Sequence, residues 1–224
     1  LEAERVACIP NGIDVDRFSG ARDGAAENER PVIVGIGRLS KQKDFGTLID
    51  AVAKLRTTPR PILRILGRGT DAWKARLTSH ASNKGIGDQL ELLGHVDNVA
   101  THLRRADLFV SSSRWEGASN VVLEALACGT PIVATKAPTG IEEVLFPLDR
   151  DILVPLGDPG ALARAIERRL GQPRASETLI ERARDFDLNS TLDSYSRMFT
   201  DQLSLAERPS HFSAGTPAAH LQYS

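Results

Sequence analysis

The chain has 224 residues, 41% of them hydrophobic, enough to bury one substantial core or two small ones. Its 28 Lys and Arg against 29 Asp and Glu exclude a global basic field of the kind that recruits nucleic acid, and no acidic tract marks a tail. No apolar run approaches the roughly 20 residues of a membrane-spanning helix, and Leu1 in place of methionine leaves an upstream segment open. The two cysteines, Cys8 and Cys128, stand far apart in no metal-binding spacing, so a reduced, cytoplasmic setting is expected.

Val6-Ala7-Cys8-Ile9 reads as a short strand entering the Pro10-Asn11-Gly12 turn. Asp14-Val15-Asp16 invites a metal site, but a surface loop accounts for both aspartates, and no metal is expected. Residues 19–30, rich in Gly, Ala, Asp, Glu and Asn, read as a loop. Pro31-Val32-Ile33-Val34-Gly35-Ile36-Gly37 is a buried strand. A basic loop follows, and Phe45, Leu48, Ile49, Val52 and Leu55 then recur at helical spacing with Asp44 as the expected cap. Gly37 lets a ligand approach the backbone, and Arg38 and Lys43 bring two cations to the carboxyl end of the strand, suited to a diphosphate.

Ile62 to Leu66 is the next strand, with a turn at Gly67-Arg68-Gly69-Thr70 and a helix over about Asp71 to Asn83. Trp73 sits within that helix, where a packing role outweighs that of a sugar platform. Leu90 to Gly94 is a third strand, leading through His95, read as solvated or capping, and Val96 into a helix carrying Val99, Leu103 and Ala106.

Leu108-Phe109-Val110 is a short buried strand, Ser111 to Ala118 a loop, and Ser119 or Asn120 a side-chain cap for a helix that Gly129 and Pro131 end before the strand Ile132-Val133-Ala134. That helix is apolar around nearly its whole circumference, the mark of a helix enclosed by protein, except at Glu124. A carboxylate there requires a partner, protein or ligand, or a shifted pKa. Glu116 lies in the preceding loop, where open α/β sheets bind ligands. The two glutamates bracket a helix N-terminus, whose amides and dipole favour phosphate. A diphosphate between two hydroxyl-rich groups fits that layout, whereas the bland alternative is an ordinary buried βαβ unit with a fortuitous acid.

Residues 136–145 turn through Pro138 and Gly140 into a short helix. Ile152 to Pro155 reads as an edge strand, and Asp158-Pro159 opens a helix carrying Leu162, Ala165, Ile166 and Leu170. A further helix is expected around Thr178 to Ala183, and a last one from about Asn189 with Leu192, Tyr195, Phe199 and Leu203 on one stripe. Beyond Ala206 the tail lacks periodicity and is expected to be disordered.

Glu116, seven intervening residues, Glu124 and the following Ala-Leu-Ala-Cys-Gly-Thr-Pro-Ile-Val-Ala resemble the donor-site motif of the family 4 retaining glycosyltransferases, and Gly37-Arg38-Leu39 with Lys43 is similar to their phosphate-binding pair. The resemblance covers Val6 to about Phe199 and implies an α/β, Rossmann-like parallel sheet with helices on both faces, one half of a GT-B fold. It implies a connector and loop over residues 1–30, a nucleotide-sugar-binding domain over 31–205 and a tail over 206–224. It also implies that the first, acceptor-binding domain lies outside this chain, which leaves the last helix unusually exposed.

By the same resemblance, Glu116, Arg38 and Lys43 are the catalytic residues. The donor would be held by Gly37, Arg38, Lys43, Val96, Glu116, Gly117, Ser119, Asn120, Val121 and Glu124, with Glu116 on the sugar, Glu124 on the ribose and Val96 beside the base. The implied ligand is a UDP- or GDP-linked sugar, with no metal or other cofactor and no nucleic acid. The resemblance leaves peripheral association of the complete enzyme with the inner face of the membrane open. Three other readings remain: a nucleotide-sugar-binding module inactive without a separate acceptor domain, a nucleotide-sugar epimerase, and an NAD-binding domain. The last lacks the third glycine of its fingerprint after Gly35-Ile36-Gly37.

Overall fold

The computed structural model describes residues 8–20, 29–117, 119–138, 140–146 and 148–206. The strand expected at Val6-Ala7, most of the loop expected over 19–30, the tail beyond Ala206 and the side chain of Leu203 lie outside the described residues. Six parallel strands form one sheet: β1 (Val32–Ile36), β2 (Ile62–Leu66), β3 (Leu90–Gly94), β4 (Leu108–Ser111), β5 (Ile132–Thr135) and β6 (Leu153–Val154), in spatial order β3-β2-β1-β4-β5-β6. The chain winds outward from β1 to one edge, returns to β4 beside β1 and winds to the other edge. That reversal makes the gap between β1 and β4 the topological switch point, whose carboxyl end is the usual ligand crevice of such sheets.

Helices cover both faces, as parallel sheets require. On one face α2 (Phe45–Val52), α3 (Asp71–Asn83) and α7 (Pro159–Leu170) pack over Ile33, Leu63, Ile65, Leu108, Val110 and Val133. On the other, α1 (Val15–Phe18), α4 (Val99–Arg105), α5 (Asn120–Ala127), α6 (Ile141–Leu145) and α8 (Ser176–Arg184) enclose Phe109, Ile132 and Ala134. Alternate residues of β4 and β5 thus enter opposite cores, the period-two pattern of a strand. The last helix, α9 (Leu188–Ala206), exposes Leu192, Tyr195 and Phe199.

Local chemistry explains several boundaries. Asp158 accepts a hydrogen bond from the Ala161 amide (2.8 Å), and Pro159 opens α7 where its missing N–H costs nothing. At the end of α5, Gly129 adopts φ +60°. The Gly129 amide donates to the Leu126 carbonyl and the Thr130 amide to Ala125, which satisfies two carbonyls a helix end otherwise leaves free. Thr70 accepts from the Trp73 amide (3.3 Å) and so starts α3 as an ordinary hydroxyl cap.

Three expectations change. Asp14-Val15-Asp16 is not a loop: Asp14 caps the one-turn helix α1 by accepting from the Arg17 amide (3.1 Å). Asp44 occupies the cap position of α2 in the left-handed region (φ 45°) without capping it through its side chain, because the carboxylate accepts instead from Thr47 Oγ1 and Arg114 Nε, both 2.9 Å away. Neither Ser119 nor Asn120 caps α5 through a side chain. Ser119 holds the cap position, and Asn120 Oδ1 accepts from Asn11 Nδ2 at 2.7 Å, tying the start of α5 to the N-terminal segment.

Candidate functional site

Three glycines make the floor at the carboxyl ends of β1, β2 and β3. The Gly37 amide donates to the Leu66 carbonyl (2.8 Å) and the Gly67 amide to Gly94 (2.6 Å), and all three have positive φ. A side chain at Gly67 would overlap the Gly37 carbonyl, and one at Gly37 would meet Lys43 Cε at 2.5 Å. Glycine therefore sets how closely the loops approach the sheet edge.

The loops after β1 and β4 meet above the switch point. Lys43 Nζ lies 2.6 Å from Glu116 Oε1, with the two side chains 16% and 6% exposed. Around this pair, Ser112 Oγ donates to the Lys43 carbonyl (2.8 Å), the Arg114 amide to Gln42 (2.8 Å) and Gln42 Nε2 to the Trp115 carbonyl (3.0 Å). Arg114 Nε also donates to Asp44 (2.9 Å). A largely buried ammonium and a buried carboxylate are thus fixed side by side at the switch point, held by backbone on both loops. The sequence marked both residues but gave no sign that they touch.

The N-terminus of α5 follows directly, with Ser119 half-buried and Asn120 exposed. Its first-turn amides have no partner within the helix, the condition that suits an anion. One turn on, Glu124 lines a 490 Å³ hollow with Arg17, Asn98, Val99 and Arg104. Burial pushes its carboxyl above the ordinary value and Arg17 pulls it part of the way back. Among the described residues no hydrogen bond or ion pair engages the Glu124 carboxylate, while its carbonyl accepts from the Cys128 amide at 2.9 Å.

Arg38 is exposed beside Gly37, Gly117 is exposed in the loop after Glu116, and Val96 and Val121 are half-buried. Gly117 and Ser119 also line a separate 260 Å³ apolar hollow closed by Ile141, Val144 and Phe186. Thus Gly37, Lys43 and Glu116 come together, Glu124 occupies the hollow next to α4, and Gly117 and Ser119 join the two across the start of α5. His95 is exposed, with Asp97 3.5 Å away. Among the described residues no group of three or more His, Cys, Asp and Glu side chains is gathered that could hold a metal ion. None of the described helices is long and apolar enough to cross a membrane.

Residues 18–186 match the family model described as glycosyl transferases group 1. The chain belongs to this family. Among curated members, it is 31% identical over 179 residues to the lipopolysaccharide core biosynthesis glycosyltransferase LpsE of Rhizobium meliloti, which covers 78% of this chain and 51% of that protein. It is 32% identical over 219 residues to D-inositol 3-phosphate glycosyltransferase of Geodermatophilus obscurus, covering 89% and 48%. The chain therefore spans about half the length of these relatives. Among solved structures, sucrose-phosphate synthase from Thermosynechococcus elongatus superposes with a TM-score of 0.79 at 25% identity, covering 88% of this chain and 52% of that one. The fold also matches Anabaena HepE in complex with UDP and glucose (TM-score 0.77, 21% identity, 89% and 58% covered). The sheet and its helices are those of one half of a GT-B fold.

Proposed function

We propose that this chain is the donor-binding, C-terminal half of a retaining, metal-independent glycosyltransferase and that it holds a nucleotide diphosphate sugar at the β1/β4 switch point. The observation that carries the reading is the Lys43–Glu116 pair, 2.6 Å apart beside the free amides of α5. It places a cation for a diphosphate next to a carboxylate for sugar hydroxyls. Glu124, half-buried in the hollow with Arg17, receives the ribose hydroxyls, and Val96 lies beside the base. The family match and the glycosyltransferase names of its relatives support the reading.

In the proposed reaction the bond between the sugar's anomeric carbon and the diphosphate breaks as the acceptor hydroxyl bonds on the same face. The hydroxyl proton passes to the departing phosphate oxygen. Arg38, Lys43 and the amides of Ser119 to Val121 stabilise charge as it develops on that diphosphate, so their effect is greatest in the transition state. Glu116 orients the sugar, and no protein nucleophile is required. The acceptor domain would be supplied by residues outside this chain.

Calorimetric titration with UDP, GDP, ADP and their sugar conjugates tests the donor site. One nucleotide should bind saturably, and the Arg38→Ala, Lys43→Ala double variant should bind it at least about tenfold more weakly, since charge-assisted contacts to phosphate are lost. Folded protein that binds none of them would remove the reading.

A further inference from the structure

Both tryptophans of the chain, Trp73 and Trp115, line one groove that adjoins the proposed donor site at Arg38. A 440 Å³ hollow between the start of α2 and α3 is walled by Trp73, Arg76, His80 and Arg114. It shares Ser40, Lys41 and Trp73 with an adjoining 620 Å³ hollow that continues past Arg68 to Trp115, the residue next to Glu116. The groove therefore begins at the proposed donor site and leads away from it across the face of α3.

The charge along this path is one-sided. Lys41, Arg68 and Arg76 are exposed and make no ion pair with any carboxylate among the described residues. Arg76 instead places its guanidinium 5.1 Å from the centre of the Trp73 ring. The one carboxylate that lines either hollow, Asp44, is already occupied by Arg114 and Thr47. His80 is held by Asp50, 3.0 Å away. Three free cations in a row are unexpected in a chain whose net charge is −1. They are free because the fold sets no acid opposite them.

We propose that this groove binds an anionic saccharide, with Trp73 and Trp115 as platforms for the apolar faces of sugar rings and Lys41, Arg68 and Arg76 holding phosphate or other acidic substituents. An indole face takes a pyranose ring's C–H surface, and a planar guanidinium takes two anionic oxygens at once. The hollow between α2 and α3, with Trp73 half-buried on its wall, suits a sugar ring seated against the indole. This saccharide contact is separate from the acceptor domain, which the donor reading above assigns to residues outside this chain.

Since no tryptophan lies elsewhere, intrinsic fluorescence reports on this groove, Trp73 on its far wall and Trp115 on its end beside Glu116. The protein would be titrated with a sulfated heparin-derived tetrasaccharide, neutral maltotetraose, inorganic phosphate and a short oligothymidylate. A saturable change with the sulfated tetrasaccharide only, weakened at least about tenfold in Lys41→Gln, Arg76→Gln, is the expected result, because two charge-assisted contacts are lost. Trp73→Phe should remove part of the signal. Tighter binding of oligothymidylate, the same change with phosphate alone, no response to the tetrasaccharide, or unaltered affinity in the double variant would each overturn the proposal. Both substituted side chains are exposed, and an unchanged unfolding midpoint verifies the fold. Nucleotide titration of the same protein separates the two readings. Tetrasaccharide binding without nucleotide binding sinks the donor site and leaves the groove, whereas the reverse sinks the groove alone.

Discussion

Seventy-three residues separate Lys43 from Glu116 in the chain, and the fold closes that distance to 2.6 Å with little water on either group. Removing one charge leaves the other desolvated without its counter-charge, so Lys43→Met should lower unfolding free energy by about 2–3 kcal/mol, somewhat less than for a fully buried pair. Adding Glu116→Gln should return most of that loss, to within about 1 kcal/mol of the native chain, because no buried charge then remains. Urea denaturation of both single variants and the double variant measures the coupling, and simple additivity would show that the pair is not the unit. Glu124 gives a pH-dependent counterpart. Burial raises its folded-state pKa, so the folded chain holds the proton more tightly than the unfolded chain does. That contribution to stability is complete below the unfolded carboxyl's pKa and is lost as pH rises through the raised folded value. Glu124→Gln should therefore be more stabilising, relative to the native side chain, at about pH 7 than at about pH 4. An equal effect at both would show that the carboxyl is not the titrating cause. The sequence exposed Glu124 as an acid on an apolar helix. It could not expose the Lys43 contact, which depends on the relative placement of two loops.

At the scale of elements, the glycine turns separate two kinds of constraint. Gly67 and Gly94 both have positive φ, but a methyl group at Gly67 would run into the Gly37 carbonyl whereas one at Gly94 meets nothing within 4 Å. Gly94→Ala should cost only the left-handed backbone penalty, about 1–2 kcal/mol. Gly67→Ala must also push two loops apart and should cost at least about 4 kcal/mol or prevent folding. Thermal unfolding of the two variants decides, and similar losses would mean that the β1 and β2 turns can separate freely. Elements governed by contiguous residues were legible: the Asp158-Pro159 start of α7, the Gly129 end of α5, and the strand-helix alternation that predicts a parallel sheet covered on both faces. The misread starts share a different cause. Asp44 and Asn120 have the right chemistry for caps, but Arg114 and Asn11, distant in sequence, claim their side chains. At α1 the error was of period, since a one-turn helix is too short to show one.

The described residues bury three apolar clusters around one sheet, and α9 contributes to none of them. Its start is secured: the Leu188 amide donates to the Ile13 carbonyl, the Ile13 amide donates to Phe186, and Thr191 is buried. Beyond that anchor the residues at helical spacing, Leu192, Tyr195 and Phe199, are 53%, 39% and 59% exposed, although an apolar stripe by itself predicts burial. An apolar side chain that stays in water on folding gains little transfer free energy, so its removal changes little. Leu192→Ser and Phe199→Ser should each shift unfolding free energy by less than about 0.5 kcal/mol. Leu179, 6% exposed on α8 and packed in the core with Leu126 and Ile132, sets the contrast. Leu179→Ala should cost about 2–4 kcal/mol through lost burial and the cavity left behind. Chemical denaturation of the three variants with equal m-values makes the comparison. If Phe199→Ser costs as much as Leu179→Ala, the stripe is covered by this chain's own residues and α9 belongs to the core; if it costs nothing, the stability of the sheet domain ends near Thr191.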